Sequence, residues 1–188
     1  MPSHIVIIQG HPDPAGGTLC HALADAYAEG AHEGGHQVSR IEIAGLDFPF
    51  LRSLADSELP EVLAAPKPAL LAANHIVVVF PYWIRFMPVP LKAFFQQITR
   101  PSIPFKYEKE PPPKLFEGRS ARIVVALGVP VRTFLFGSPD DIRHLRCDMS
   151  LVGIAPIYVS RFGMFRMFGM ADTRKWLGQM RELGANAL

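Results

Sequence analysis

Short apolar runs alternate along this chain with longer segments in which apolar residues recur at helical spacing. Two of the runs, 5–8 and 76–80, are continuously apolar and a third, 121–127, is apolar apart from Arg122, which is typical of parallel strands buried on both faces. Each run is followed by a helical segment, and this repetition predicts one α/β domain, residues 1–188, with helices on both sides of a sheet. The predicted strands cover residues 5–8, 38–43, 76–80, 121–127 and 154–159.

The predicted helices are bounded by local signals. Thr18 precedes the first helix as its N-cap, and Gly34 with Gly35 stops it. Pro81 is expected to end the third strand, because proline cannot donate a ladder hydrogen bond. The Ser-Pro-Asp-Asp sequence at 138–141 opens another helix with a hydroxyl cap and two carboxylates at the positive end of the dipole. The other helices are predicted within residues 59–73, over 91–98 and from 172 to 183.

Right-handed crossovers leave few ways to order five parallel strands. For a chain of 188 residues we predict the flavodoxin-like order 2-1-3-4-5, a three-layer sandwich. Proteins with such sheets bind their ligands at the carboxyl ends of the strands. The loops that follow strands 1, 3 and 4 cover residues 10–18, 81–90 and 128–138, and they are therefore the candidate site.

Composition excludes two broad classes of protein. With 49% hydrophobic and 19% charged residues, the chain is too apolar to be disordered. Its longest apolar stretch covers residues 76–84, includes Pro81 and is far shorter than the ~20 residues that a membrane-spanning helix needs. The first residues lack the basic region and cleavage site of a secretory signal. We therefore expect a cytoplasmic protein without a transmembrane segment.

Charge and cysteine spacing narrow the chemistry further. The net charge is +2 and the basic residues are dispersed, so no nucleic-acid partner is predicted. Cys20 and Cys147 form no C-x-x-C or Cys-His spacing, so we expect two reduced thiols and no metal site. A phosphoacceptor receiver domain would need acidic residues after the first strand, where this chain has Gln9, Gly10 and His11.

The loop after the first strand has the composition of a phosphate site. It runs from Gly10 to Thr18 and opens a helix, so backbone N–H groups, the Thr18 hydroxyl and the helix dipole would suit an anion. It matches neither the G-x-G-x-x-G nor the G-x-x-x-x-G-K-[ST] motif, and a simple turn with a threonine cap fits equally. His11 would bond a phosphate or a ligand hydroxyl, or cap the strand end.

The loop after the third strand is unusually aromatic. Phe80, Tyr82, Trp83 and Phe86, together with Arg85, lie between a buried strand and the next helix. Prolines around them would hold the loop in shape, so that the aromatic groups form a wall for a flat ring. The alternative is a hydrophobic plug beneath the next helix.

These loops resemble a known family. The H-P-x-P loop, the P-Y-W-x-x-x-M-P-x-x-L-K stretch and the glycine turn after strand 4 look like the NAD(P)H:quinone oxidoreductase family, over nearly the whole chain. That family includes flavin-dependent quinone reductases, ancillary proteins of potassium-efflux transporters, and azoreductases. Its members are usually homodimers, and the Met-rich and aromatic segment 162–170 is a candidate dimer face or pocket cover.

The resemblance implies a set of flavin contacts. Several positions depart from the pattern: the second small hydroxyl or amide residue usual near Cys20 is absent, Ile84 replaces the amide of azoreductases, and Pro130 lacks the N–H that would meet the flavin pyrimidine edge. The implied contacts to phosphate and ribityl are His11, Gly17, Thr18, Leu19 and Cys20, those to the ring are Pro81, Tyr82, Trp83, Ile84 and Arg85, and those to the ring edge are Leu127, Gly128, Val129 and Pro130.

The resemblance also implies the chemistry. Hydride would pass from NAD(P)H to flavin N5 and two electrons would then reach a quinone or similar flat acceptor, in ping-pong fashion. FMN is expected, with FAD as the alternative. Arg85 is the one candidate catalytic residue, by attracting nicotinamide phosphate or stabilising reduced flavin, although a rim salt bridge explains it too. The alternatives are a flavodoxin-type electron carrier and a flavin-binding ancillary subunit of a transporter.

Overall fold

The computed structural model describes residues 2–53, 59–83, 86–99, 114–128, 140–163 and 170–188. A five-stranded parallel sheet has the order β2-β1-β3-β4-β5, which confirms the predicted flavodoxin-like fold. The strands are β1 His4–Gln9, β2 Gln37–Glu42, β3 His75–Tyr82, β4 Ser120–Leu127 and β5 Ile157–Gly163. The helices are α1 Leu19–Glu33, α2 Glu61–Ala64, α3 Lys67–Ala72, α4 Val89–Thr99, α5 Asp140–Leu151 and α6 Met170–Ala185.

Two apolar layers sandwich the sheet, because side chains along each strand alternate between its faces. On one face, Ile5 and Ile7 of β1 pack against α1 and α6. On the other, Val6 and Ile8 pack with apolar residues of α2 to α5. None of the helices within the described ranges is long and apolar enough to cross a membrane. The cytoplasmic location stays a prediction.

The prediction that β3 ends at Pro81 is wrong. The strand continues to Tyr82, and Pro81 pairs with Ala126 of β4. On its other side, β3 loses its neighbour earlier, because the last β1 pair is Gln9 with Val79. At Pro81 the strand therefore has a neighbour on one side only, so a missing N–H is tolerated there as it is at a sheet edge.

Two other elements, a helix and the fifth strand, differ from the prediction by more than two residues. The expected helix within 59–73 is split into α2 and α3, because Pro66 interrupts it and α3 restarts with Pro68 in its first turn. The fifth strand starts at Ile157 rather than 154, because Ile154 takes part in ending α5. Its N–H donates to the Met149 carbonyl (3.0 Å), across the left-handed Gly153 (φ +100°). Residues 138 and 139 of the predicted α5 start lie outside the described ranges.

Candidate functional site

Three strand ends meet at one edge of the sheet, which we call the carboxyl edge: Gln9 of β1, Tyr82 of β3 and Leu127 of β4. The first loop leaves β1 alongside β3, because the Gly10 N–H donates to the Val79 carbonyl at 2.7 Å. A Cβ at Gly10 would come within 2.6 Å of the Leu91 side chain, so a glycine keeps this exit open. The three predicted loops therefore start side by side.

The amino end of α1 lies at this edge and its first turn has no side-chain cap. Thr18 occupies the predicted N-cap position, but its Oγ1 bonds His21 Nδ1 at 2.7 Å rather than a backbone N–H of the described helix. Before it, Gly16 and Gly17 have φ of +73° and +70°, and open space lies where their Cβ atoms would be. Free amides at a helix amino end, reached through an open glycine turn, suit an anion.

His11 is buried in the first loop and held by its neighbours. Its N–H donates to Gln9 Oε1 at 3.1 Å, and its Nδ1 accepts from the Asp13 N–H at 3.2 Å. Its ring centroid lies 5.3 Å from that of His21 and 5.2 Å from that of Trp83, the second contact being edge-on. The loop after β1 and the loop after β3 are thus joined through this ring.

These contacts also fix the protonation of His11. Burial and the nearby His21 lower the pKa of His11, against the opposing effect of Asp13. The ring is therefore neutral at pH 7, and because Nδ1 accepts from Asp13, the proton lies on Nε2. His11 consequently offers an N–H donor at Nε2.

The aromatic loop divides into buried and exposed members. Phe80, Tyr82 and Met87 are buried, as the plug interpretation requires, whereas Trp83 is 47% exposed and Phe86 59% exposed. Trp83 and Phe86 pair with each other through two backbone hydrogen bonds of 3.0 and 2.8 Å. The exposed indole, not the whole loop, forms a wall beside His11.

Several predicted site residues contribute differently from one another. Cys20 is buried in the apolar layer beside α1, and burial raises the pKa of its thiol to about 12, so the thiol offers no charge to a ligand. Leu127 is buried at the strand end, and Gly128 is exposed beyond it. No group of His, Cys, Asp and Glu among the described residues could hold a metal ion. Ile84, Arg85, Val129 and Pro130 lie outside the described residues.

The sequence interpretation missed two polar residues of this edge, His21 and Gln9. Gln9 is fully buried on the α1 side of the sheet, and its Nε2 has no hydrogen-bond partner in the described parts of the chain. The signals were a single amide at the end of an apolar strand, and a histidine three residues after an N-cap. Neither pattern is specific enough to mark a site by itself.

A doubly wound parallel sheet with open polar loops at its carboxyl edge defines the class of α/β proteins that bind ligands at the topological switch point. Residues 3–174 match the model of a protein family whose description is "Flavodoxin-like fold". The chain therefore belongs to this flavodoxin-like family. The resemblance drawn from the sequence is thus confirmed at the level of the fold family.

Individual relatives agree with this assignment. The chain is 29% identical over 137 residues to an FMN-dependent NADH:quinone oxidoreductase of Alteromonas mediterranea. The matched region covers 64% of this chain and 66% of that protein. An NAD(P)H:quinone oxidoreductase from Methanothermobacter marburgensis has the same fold (TM-score 0.77, 18% identity, 99% and 97% of the two chains covered). So does an azoreductase from Bacillus anthracis str. Sterne (TM-score 0.71, 16% identity, 97% and 96% covered).

Proposed function

We propose that this protein is a flavin-dependent NAD(P)H oxidoreductase that passes two electrons to a quinone or a similar flat acceptor. One observation carries the proposal: the exposed Trp83 indole lies against His11, next to the uncapped amino end of α1. A flat apolar surface beside an anion site matches a ligand that has a planar ring at one end and a phosphate at the other. The FMN-dependent quinone oxidoreductase among the relatives supports the same cofactor.

The residues at the carboxyl edge fit FMN. Backbone N–H groups of Gly17, Leu19 and Cys20, with the Thr18 hydroxyl, would hold the phosphate. His11 would donate from Nε2 to the phosphate or a ribityl hydroxyl. The orphaned Nε2 of the buried Gln9 also indicates a polar partner on this side of the sheet. FAD remains the alternative cofactor.

The ring would lie along the loops after β3 and β4. We assign its contacts to Pro81, Tyr82, Trp83, Ile84 and Arg85, and its polar edge to Leu127, Gly128, Val129 and Pro130. A bound flavin would supply the redox chemistry: it would accept a hydride from NAD(P)H at N5 and pass two electrons on to the acceptor in a ping-pong cycle. The chain's own task is to bind, orient and shield the reactants, with Arg85 as the candidate cation for nicotinamide phosphate or reduced flavin.

An apolar surface next to the site supports a homodimer. Trp83, Phe86 and Val89 are 47%, 59% and 63% exposed within one short segment, and exposed apolar clusters of this kind often mark interfaces. Segment 162–170 was predicted to join such a face, but residues 164–169 lie outside the described ranges. Calibrated size exclusion tests the dimer, and elution as a monomer would overturn it.

The decisive experiment is flavin retention followed by turnover. The protein is mixed with FMN or FAD, desalted, and its absorbance recorded; NADH or NADPH and then menadione are added under nitrogen. We expect retained FMN bands that bleach with reduced nicotinamide and recover with the quinone. Loss of both flavins on desalting would overturn the proposal. Retained flavin that dithionite bleaches but NAD(P)H does not would indicate an electron carrier or an ancillary subunit instead.

A matched pair of variants tests the wall itself. Trp83→Ala should weaken FMN binding about tenfold, because an aromatic stacking contact contributes about 1–3 kcal/mol for a flat heteroaromatic ring. Leu151→Ala removes a similarly exposed apolar side chain (67%) at the other end of the molecule, at the end of α5, and should leave binding unchanged. Equal effects of the two variants would contradict the role of Trp83.

A further inference from the structure

We propose that His21 is a positioning residue of the phosphate site, which holds the Thr18 hydroxyl away from the helix backbone and turns its proton toward a bound phosphate monoester. This inference rests on the proposed function and adds to it a residue that neither the motif nor the resemblance marks. Its basis is the 2.7 Å contact between His21 Nδ1 and Thr18 Oγ1.

An N-cap threonine ordinarily accepts a hydrogen bond from an N–H of the first helical turn. Here Thr18 makes no such bond to α1, because its Oγ1 is engaged by the side chain of the residue three positions later. The His21 ring must therefore fold back over the first turn to reach the N-cap. The first-turn amides stay uncapped as a consequence, and an anion can take them.

The direction of the Thr18–His21 hydrogen bond decides what the hydroxyl can do. If Nδ1–H of His21 donates to Oγ1, the hydroxyl proton of Thr18 is free and donates to a third group. A phosphate dianion at the helix end favours this arrangement, because each of its oxygens is an acceptor. His21 then acts through Thr18, and its ring need not touch the ligand.

The surroundings supply a second, independent sign of a polar ligand. Gln9 is fully buried on the α1 face of β1, and its Nε2 has no partner in the described part of the chain. A buried amide donor without a partner is costly, and such groups normally meet a ligand or a bound water. Its Oε1 holds the His11 N–H, so the orphaned donor lies at the start of the same loop that ends at Thr18.

The test compares FMN with riboflavin, which has the same ring and ribityl chain without the phosphate. Dissociation constants are measured by quenching of flavin fluorescence for the wild type, His21→Ala, Thr18→Ala and the double variant. His21→Ala should weaken FMN binding about tenfold, as expected for loss of a hydrogen bond to a charged group, and leave riboflavin binding unchanged. Because His21 acts through Thr18, the double variant should lose no more than Thr18→Ala alone.

His32→Ala is the control, since His32 is an exposed histidine in the last turn of the same helix and should alter neither constant. Riboflavin binding reports whether each variant is folded. Additive losses in the double variant, or an unchanged ratio of FMN to riboflavin affinity in His21→Ala, would overturn the role of His21 while leaving the oxidoreductase proposal intact. A wild type that binds neither flavin would instead overturn the proposed function, and this inference with it.

Discussion

Two histidine clusters occupy opposite edges of the same sheet, and they differ in what their polar atoms meet. At the carboxyl edge, His11 and His21 lie among an open glycine turn, an uncapped helix end and an exposed indole. At the opposite edge, where β3 and β4 begin, His75 lies in a cluster that α1 and α6 close over. The members of this closed cluster are Tyr27, His75, Ser120, Arg122 and Ser160.

Inside the closed cluster most polar groups have a protein partner, and the exception among the described residues is the buried His75 Nε2. His75 Nδ1 bonds Ser120 Oγ at 2.7 Å, and its ring stacks on Tyr27 with centroids 6.3 Å apart. Arg122 donates to Ser160 Oγ (2.7 Å) and to the main-chain oxygen of Leu188 (2.6 Å). Burial and the neighbouring Arg122 lower the pKa of His75 to about 4.

Residue type alone therefore does not mark a binding site in this molecule. Histidine and hydroxyl groups occur at both edges, but among the described residues only the carboxyl edge combines them with an open glycine turn, an uncapped helix end and an exposed indole. At the other edge the same groups hold strands and helices together. The contrast follows from the parallel sheet, whose helices cover its faces and leave the loops at the carboxyl ends exposed.

The largest expected change in the free energy of unfolding comes from separating the helices that cover the closed cluster. Gly30 and Gly184 let α1 and α6 touch, because a Cβ at Gly30 would overlap the Arg181 carbonyl. We expect Gly30→Ala to lower the free energy of unfolding by about 3 kcal/mol, at the upper end for overpacking. Gly178→Ala, on α6 where nothing lies within 4 Å, should be neutral or stabilising. Urea unfolding measures the stability of both variants. Equal stabilities would contradict the idea that close packing of α1 against α6 covers the closed cluster.

Acid should affect the closed cluster next. The folded pKa of His75, about 4, lies below the unfolded value of 6.5, so the unfolded chain binds more protons between these pH values. Stability should therefore fall as pH drops from 6.5 to 4, by up to about 3 kcal/mol from this group, and level off below. Urea unfolding across this range checks it. His75→Asn should flatten the slope and His32→Asn should not; an unchanged slope in His75→Asn would exclude His75 as its source.

The smallest expected changes in stability come from removing the Ser120 hydroxyl in the closed cluster or the Thr18 hydroxyl at the carboxyl edge. Ser120→Ala should lower stability by about 1–2 kcal/mol, because it removes the partner of a buried imidazole nitrogen. Thr18→Ala should lower it by less than about 0.5 kcal/mol, since Thr18 caps no backbone N–H of α1. Urea midpoints of the two variants give the comparison. A loss near 1 kcal/mol for Thr18→Ala would mean that the threonine is an ordinary helix cap.

Much of the fold could be predicted because the signal is local. The apolar runs within β1, β3 and β4, interrupted only at Arg122 of β4, require burial on both faces, and a parallel sheet provides it. The predicted strand ends were wrong where a neighbouring strand or helix sets the boundary. Pro81 stays in β3 because β1 has already ended beside it, and Ile154 leaves β5 because it closes α5. Neither fact can be read from the residues next to these positions.

The local pattern of residues was sufficient to predict the order of strands and helices, the family resemblance, and the loops that gather at the carboxyl edge. Tertiary structure decided which polar side chains meet there. Thr18 engages His21 rather than the backbone, Trp83 is exposed while Tyr82 is buried, and His75 is sealed beneath two helices. Hydrophobic periodicity is a property of neighbouring residues, whereas these contacts depend on strand register and helix packing between segments far apart in the chain.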